Sequence, residues 1–169
     1  MTRGRISWMD VLPMTFISLF FLSQIIAGFY LLPDISQNQI AAYIGVGLYS
    51  FSGLIFGMLP IFEFRMRGEV QKGKSYIHTT KLVDTGLYSI VRHPQYLTWM
   101  LWAIAGMLLF QHWIVILLGI PIIPFTYIDM DREDERMIEK FGDVYRNYMQ
   151  RVPRANFLLG IIRSLMHRK

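Results

Sequence analysis

Two segments hold most of the side chains able to do chemistry. Residues 81–97 read KLVDTGLYSIVRHPQYL and place Arg92, His93, Pro94 and Tyr96 where an apolar run begins. Residues 133–154 read EDERMIEKFGDVYRNYMQRVPR, with an acidic cluster (Glu133, Asp134, Glu135) and a tyrosine pair (Tyr145, Tyr148). Pro94 suits the first position of a helix, which puts His93 at the N-cap beside unpaired backbone N–H groups and a partial positive charge. An anion such as a carboxylate or phosphate is stabilised there, and Arg92 adds a full charge. Tyr96 lies one turn on, roughly on the same side. The plainer reading makes Arg92 a topology signal and His93 and Tyr96 interfacial anchors. The acidic cluster also has two readings. It is a solvated helix laced to Arg132, Arg136 and Lys140 by i, i+4 pairs, or it accepts hydrogen bonds from an ammonium or from ribose hydroxyls. Among Arg146, Arg151 and Arg154, most bind lipid headgroups, and one could hold an acidic substrate group bidentately.

The elements that position these residues are apolar. The chain has 169 residues, 53% of them hydrophobic and gathered in long runs, so a single domain of the membrane class is expected over 1–169. There is no cysteine. Disulfides, cysteine-ligated metal and a cysteine nucleophile are therefore excluded. Runs 11–32 and 40–62 carry no charge and exceed the roughly 20 residues that cross a bilayer. Two further helices, 94–110 and 113–130, are separated only by Gln111 and His112 and form a tight hairpin. Their apolar parts reach little more than about 20 Å each, so the hairpin extends, thins the bilayer or is partly re-entrant. All 17 Lys and Arg lie before residue 11, between runs two and three, or after run four. Four spans place these three regions on one face, and the positive-inside rule makes it cytoplasmic, with both termini inside. The first run is too long for a cleavable signal and has no small-residue cleavage site after it.

Smaller features follow. Gly53 and Gly57 form a small-xxx-small pattern, read as internal packing or as a dimer seam. The connection 64–92 is punctuated by glycines and has one strand-like stretch at 75–80. Pro121 and Pro124 imply a kink. The fourth helix runs on to about Lys140 and ends at Gly142. Residues 143–151 form another helix with Tyr145 and Tyr148 on one face, and 157–169 carry a basic amphipathic stripe suited to the inner membrane surface. The fold class is thus all-α integral membrane, with about four spans, a C-terminal hairpin, a cytoplasmic cofactor region at 81–96 plus 129–154, and an amphipathic tail.

Together, the RHPQY segment, the hairpin, the acidic pair, FGDVYRNY and the basic end resemble the isoprenylcysteine carboxyl methyltransferase and phospholipid methyltransferase superfamily. The match runs over residues 81–154 and is nearest to the small prokaryotic members. The resemblance implies an integral membrane enzyme using S-adenosylmethionine. It implies that His93 and Tyr96 help bind this cofactor, with Arg92 and Pro94 beside them. It also implies that Lys81, Leu82, Val83, Gly86 and Tyr88 line it, the 81–86 stretch through backbone contacts. Glu133 matches the first acid of the family pair. Asp134 stands where Glu is usual. Trp99, Tyr145, Tyr148 and Arg151 fall to the acceptor, and Glu133 or Arg154 would orient or deprotonate it. Two departures bear on the acceptor channel: Thr98 and Trp99 follow RHPQY where a small residue is common, and Ala155-Asn156 follow VPR.

The function expected is methyl transfer by in-line displacement to a lipophilic acceptor (an isoprenylcysteine-like carboxylate, a lipid amine or another small hydrophobic molecule) at the cytoplasmic face of the inner membrane. Membrane lipids are the other partners; no nucleic acid or metal is expected, and the oligomeric state stays open. The alternatives are an NADPH-dependent membrane reductase, related to the sterol reductases, and a non-enzymatic scaffold or lipid-binding protein.

Overall fold

The computed structural model describes residues 8–31, 38–68 and 80–166, with side chains from Leu12 onward. The strand-like stretch expected at 75–80 lies almost wholly outside these residues, as do Arg3, Arg5, Lys72, Lys74, Arg168 and Lys169. The described residues are mostly helical, and no strand occurs among them. In order they form α1 (Trp8–Leu31), α2 (Gln39–Ser52), a π-helical segment (Gly53–Met58), α3 (Leu59–Arg67), a 3₁₀ turn (Gly86–Ser89), α4 (Pro94–Phe110), α5 (Trp113–Gly119), α6 (Ile122–Phe141), α7 (Asp143–Arg151) and α8 (Phe157–Met166). Three stretches are long and apolar enough to cross a membrane: Leu12–Leu31, Gln39–Arg67 and Trp113–Phe141. Pro94–Phe110 is apolar but shorter. Large hydrophobic side chains are exposed along these helices, among them Leu22, Ile26, Phe29, Ile44 and Leu54. A membrane protein presents such surface to lipid.

The chain separates into two compact units, each discontinuous in sequence. The first comprises Met1–Phe51 and Trp99–Glu133. Its core is Ile17, Ala103 and Ile122, with Phe20, Phe21, Trp99 and Phe125 packed around them. Helices approach closely where side chains are smallest. A Cβ on Gly45 would stand 2.9 Å from the Ala105 carbonyl, and one on Gly28 would enter the Phe110 ring. Gln24, buried in α1, donates from Nε2 to the carbonyls of Ala103 (3.0 Å) and Val115 (3.3 Å), which staples α1 to α4 and α5. At the α4–α5 turn, Gln111 adopts φ 49°. Its side chain exchanges two hydrogen bonds with the Asn38 backbone, both at 2.9 Å. The His112 side chain caps α5 by accepting from the Ile114 N–H.

The second unit comprises Ser52–Thr98 and Asp134–Lys169. It opens with a feature the sequence pattern did not indicate, the π turn at Gly53–Met58. The cause is Pro60, which lacks an N–H and whose ring crowds the carbonyl four residues back; a widened turn relieves the clash. A Cβ on Gly57 would stand 3.7 Å from Thr98, at ordinary van der Waals contact. Phe56 meets Phe157 of α8 edge-on at 4.9 Å. Elsewhere the local signals were followed. The helix is interrupted between Gly119 and Ile122, at Pro121. α6 ends at Phe141, and Gly142 has φ +59°.

Candidate active site

The site is assembled within the second unit by two chain crossings. The Arg92 N–H donates to the Pro153 carbonyl (3.0 Å) and the His93 N–H to the Arg154 carbonyl (3.1 Å), so the two chemistry-bearing segments are joined through their backbones. The His93 carbonyl accepts from Leu97, which makes His93 the residue entering α4, with Pro94 at its first position. Tyr96 lies edge-on to the His93 ring, centroids 5.6 Å apart.

The focus of the site is the side chain of Asp134, 4% exposed. Its Oδ1 accepts from His93 Nε2 (2.7 Å) and from the Tyr145 hydroxyl (2.6 Å). Its Oδ2 is held by Arg154 through Nε and Nη2, both at 3.1 Å, and by Arg92 Nη2 at 3.3 Å. Burying a carboxylate requires such compensation. The Arg92 side chain is 7% exposed. Its Nε and Nη1 are buried and have no hydrogen-bond partner among the described residues. Buried donors of this kind are ordinarily satisfied, so these two atoms stand out as the unsatisfied donors of the cluster.

The tyrosine pair supports the cluster from α7. Both rings are buried, with Val152, against Leu82, Met137, Ile138 and Phe141. Tyr148 donates to the Tyr88 carbonyl at 2.6 Å, as Tyr145 does to Asp134. Burial raises the pKa of both hydroxyls above the usual tyrosine value, and for Tyr145 the hydrogen bond and charge of Asp134 raise it further. Both hydroxyls are thus committed to internal partners, whereas the sequence suggested acceptor contacts. Arg151 lies 3.6 Å from Asp84, an exposed pair. Val83 and Tyr88 are buried, Leu82 is half-buried, and Lys81 and Gly86 are exposed.

Of the residues singled out in the sequence, Arg92, His93, Asp134, Tyr145 and Arg154 meet at one carboxylate. Glu133 and Trp99 belong to the first unit, where Trp99 packs against Phe21 and Trp102. The carboxylate that gathers the cations is Asp134. Sequence reasoning passed over Glu63 of α3, which is buried and accepts from the Leu87 N–H with both oxygens, at 3.0 and 3.1 Å. The available signal was a lone carboxylate at the end of an apolar span.

Comparison with known proteins places the segment around Arg92, His93 and Asp134 within a recognised sequence family. Residues 70–139 match the isoprenylcysteine carboxyl methyltransferase family. The protein-S-isoprenylcysteine O-methyltransferase of Schizosaccharomyces pombe is 29% identical over 116 residues, 63% of this chain and 48% of that protein. Those of Mus musculus and Homo sapiens are each 33% identical over 85 residues, half of this chain and 29% of theirs. The matched region thus spans about half or less of the length of these relatives. No solved structure shows a significant match. The matched stretch contains the RHPQY segment and the acidic pair whose members Arg92, His93 and Asp134 meet in the second unit, and over it the chain is similar to the isoprenylcysteine carboxyl methyltransferase family.

Proposed function

We propose that the protein is an S-adenosylmethionine-dependent membrane methyltransferase acting on the carboxylate of an isoprenylcysteine-like, lipophilic acceptor. The observation that carries this reading is the Asp134 junction with the unpartnered donors of Arg92 beside it. Arg92 keeps buried N–H groups open beside a carboxylate already satisfied by four side chains. The carboxylate of the cofactor's methionine moiety fits those donors. His93 and Tyr96 would flank it, and the 81–86 segment would line it. When bound, the cofactor supplies an electrophilic methyl group on a sulfonium.

A carboxylate acceptor explains why the site holds its own carboxylate in ion pairs. Carboxylic acids are already ionised near neutral pH, so no general base is needed. The protein has only to align the reactants and exclude water. Arg154, 29% exposed, is the residue suited to orient the acceptor carboxylate. Tyr145 and Tyr148 act by positioning Asp134 and the Tyr88 turn. For the whole chain, the proposed topology has four crossings. α4 is the short one, its 17 residues giving about 25 Å. Both termini are cytoplasmic, in the inner membrane, and α8 lies at the interface.

Calorimetric titration of the detergent-purified protein with S-adenosylhomocysteine tests the reading. Micromolar binding is expected, reduced at least about tenfold in Arg92→Met and His93→Ala, the loss that follows when a charge-assisted hydrogen bond is removed. Binding of NADPH instead would transfer the protein to the reductases. Binding of neither, by folded protein, would overturn the proposal.

A further inference from the structure

We infer that Glu63 is a positioning residue for the cofactor segment, acting through the peptide of Leu87; the inference rests on the methyltransferase reading above. Glu63 stands near the end of an apolar stretch, PIFEFRMR, and its residue is 8% exposed. A carboxylate in such a place needs a reason. Its two oxygens converge on one N–H, that of Leu87 (3.0 and 3.1 Å). The contact requires Gly86 on two counts. Gly86 has φ +64°, and a Cβ there would overlap Glu63 Oε1 and lie 2.7 Å from its Cδ. The carboxylate therefore occupies the space that any side chain at position 86 would take.

The neighbours of Glu63 on α3 hold the flanking residues. Arg67 Nη1 donates to Thr85 Oγ1 at 2.8 Å, and the Phe64 ring lies 4.7 Å from that of Tyr88. The Leu87 carbonyl in turn accepts from the N–H groups of Ile90 and Val91, both at 3.0 Å, immediately before Arg92. The Leu87 peptide is thus a pivot. Its N–H side fixes the end of the 81–86 segment and its C=O side fixes the approach to Arg92. A carboxylate whose only purpose was to cap a four-residue turn would stabilise that turn and nothing else. Placed at this pivot, Glu63 sets the distance between the two halves of the cofactor site. Releasing the pivot lowers the population of the binding-competent arrangement, and apparent affinity falls with that population.

The test is S-adenosylhomocysteine titration of the full-length protein in detergent, with melting curves, for wild type, Glu63→Gln, Glu63→Ala and Gln24→Ala. Gln24 belongs to the first unit and to neither half of the site, so its variant reports what lost stability alone does. Glu63→Ala should bind about tenfold more weakly, as expected when a hydrogen bond to a charged group is lost. Glu63→Gln keeps an acceptor oxygen and should recover most of that loss. Gln24→Ala should melt lower with unchanged affinity. If Glu63→Ala melts lower but binds like wild type, the inference is overturned while the methyltransferase reading stands. If wild type itself does not bind, both fall. Should Glu63→Ala fail to fold, Glu63→Asp, whose shorter side chain draws the carboxylate back from the Leu87 N–H, decides the matter, and wild-type affinity in folded Glu63→Asp overturns the inference.

Discussion

Asp134 shows how a single buried group can organise a site. Its carboxylate touches His93, Tyr145, Arg154 and Arg92, and all four lose their common partner when it is removed. Breaking a buried charge cluster from one side leaves uncompensated charge, which costs about 3–5 kcal/mol. Asp134→Ala should therefore lower unfolding stability in detergent by about that amount, and a melting curve like that of wild type would refute the assignment. The tyrosines add a pH dependence. The folded protein holds the protons of Tyr145 and Tyr148 more tightly than the unfolded chain does, since burial raises both native pKa values. Their stabilisation is complete below about pH 10, the unfolded value, and is lost as pH rises beyond it toward the elevated native values. Thermal melting followed from pH 7 to 11 should be flat and then fall. Tyr145→Phe should be less stable at neutral pH but should fall less steeply in alkali; an equally steep fall would mean that other groups drive it. The sequence made the acidic cluster visible but not which member turns inward. Three consecutive acids occupy three helical directions, and the choice among them depends on Arg92 and Arg154, far away along the chain.

Helices were legible where their signals are local. Pro94 at the start of α4, the two-residue turn at Gln111-His112, the break at Pro121 and the end at Gly142 each rest on chemistry within a few residues, and all appear in the structure. α7 has the expected bounds, Asp143–Arg151. The π segment before Pro60 and the Glu63 contact were not legible, because both depend on which register and which partner the rest of the second unit imposes. α8 illustrates the same division. Its apolar spacing announced an amphipathic helix, but the role of Gly160 did not show. A Cβ at that position would overlap the Ile90 carbonyl, two residues before Arg92. Gly160→Ala should thus push α8 away from the turn leading into the site, at a cost of about 1–3 kcal/mol in stability, as for other overpacked contacts. The matching measurement is the melting temperature together with proteolytic release of α8. A variant as stable and as protease-resistant as wild type would show that the contact is slack.

At the scale of the molecule, topology connects the site to its substrates. On the proposed reading a polar cofactor comes from water and an isoprenoid acceptor from lipid, which would put the Asp134 cluster near one face of the bilayer. Every Lys and Arg of the chain lies outside the segments 11–62 and 97–128, and by the positive-inside rule the proposed topology would put that face in the cytoplasm. The absence of cysteine makes the orientation directly measurable. Single cysteines at Gln37, between α1 and α2, and at Val144, exposed on α7, should respond oppositely to a membrane-impermeant maleimide applied to intact cells. Gln37→Cys should be labelled at once, and Val144→Cys only after permeabilisation. The reverse pattern would place the site on the outer face, away from cytoplasmic S-adenosylmethionine, and the methyltransferase reading would fall with it. Labelling of both in intact cells would mean an even number of crossings between them, leaving α4 as a helix that enters the bilayer without spanning it.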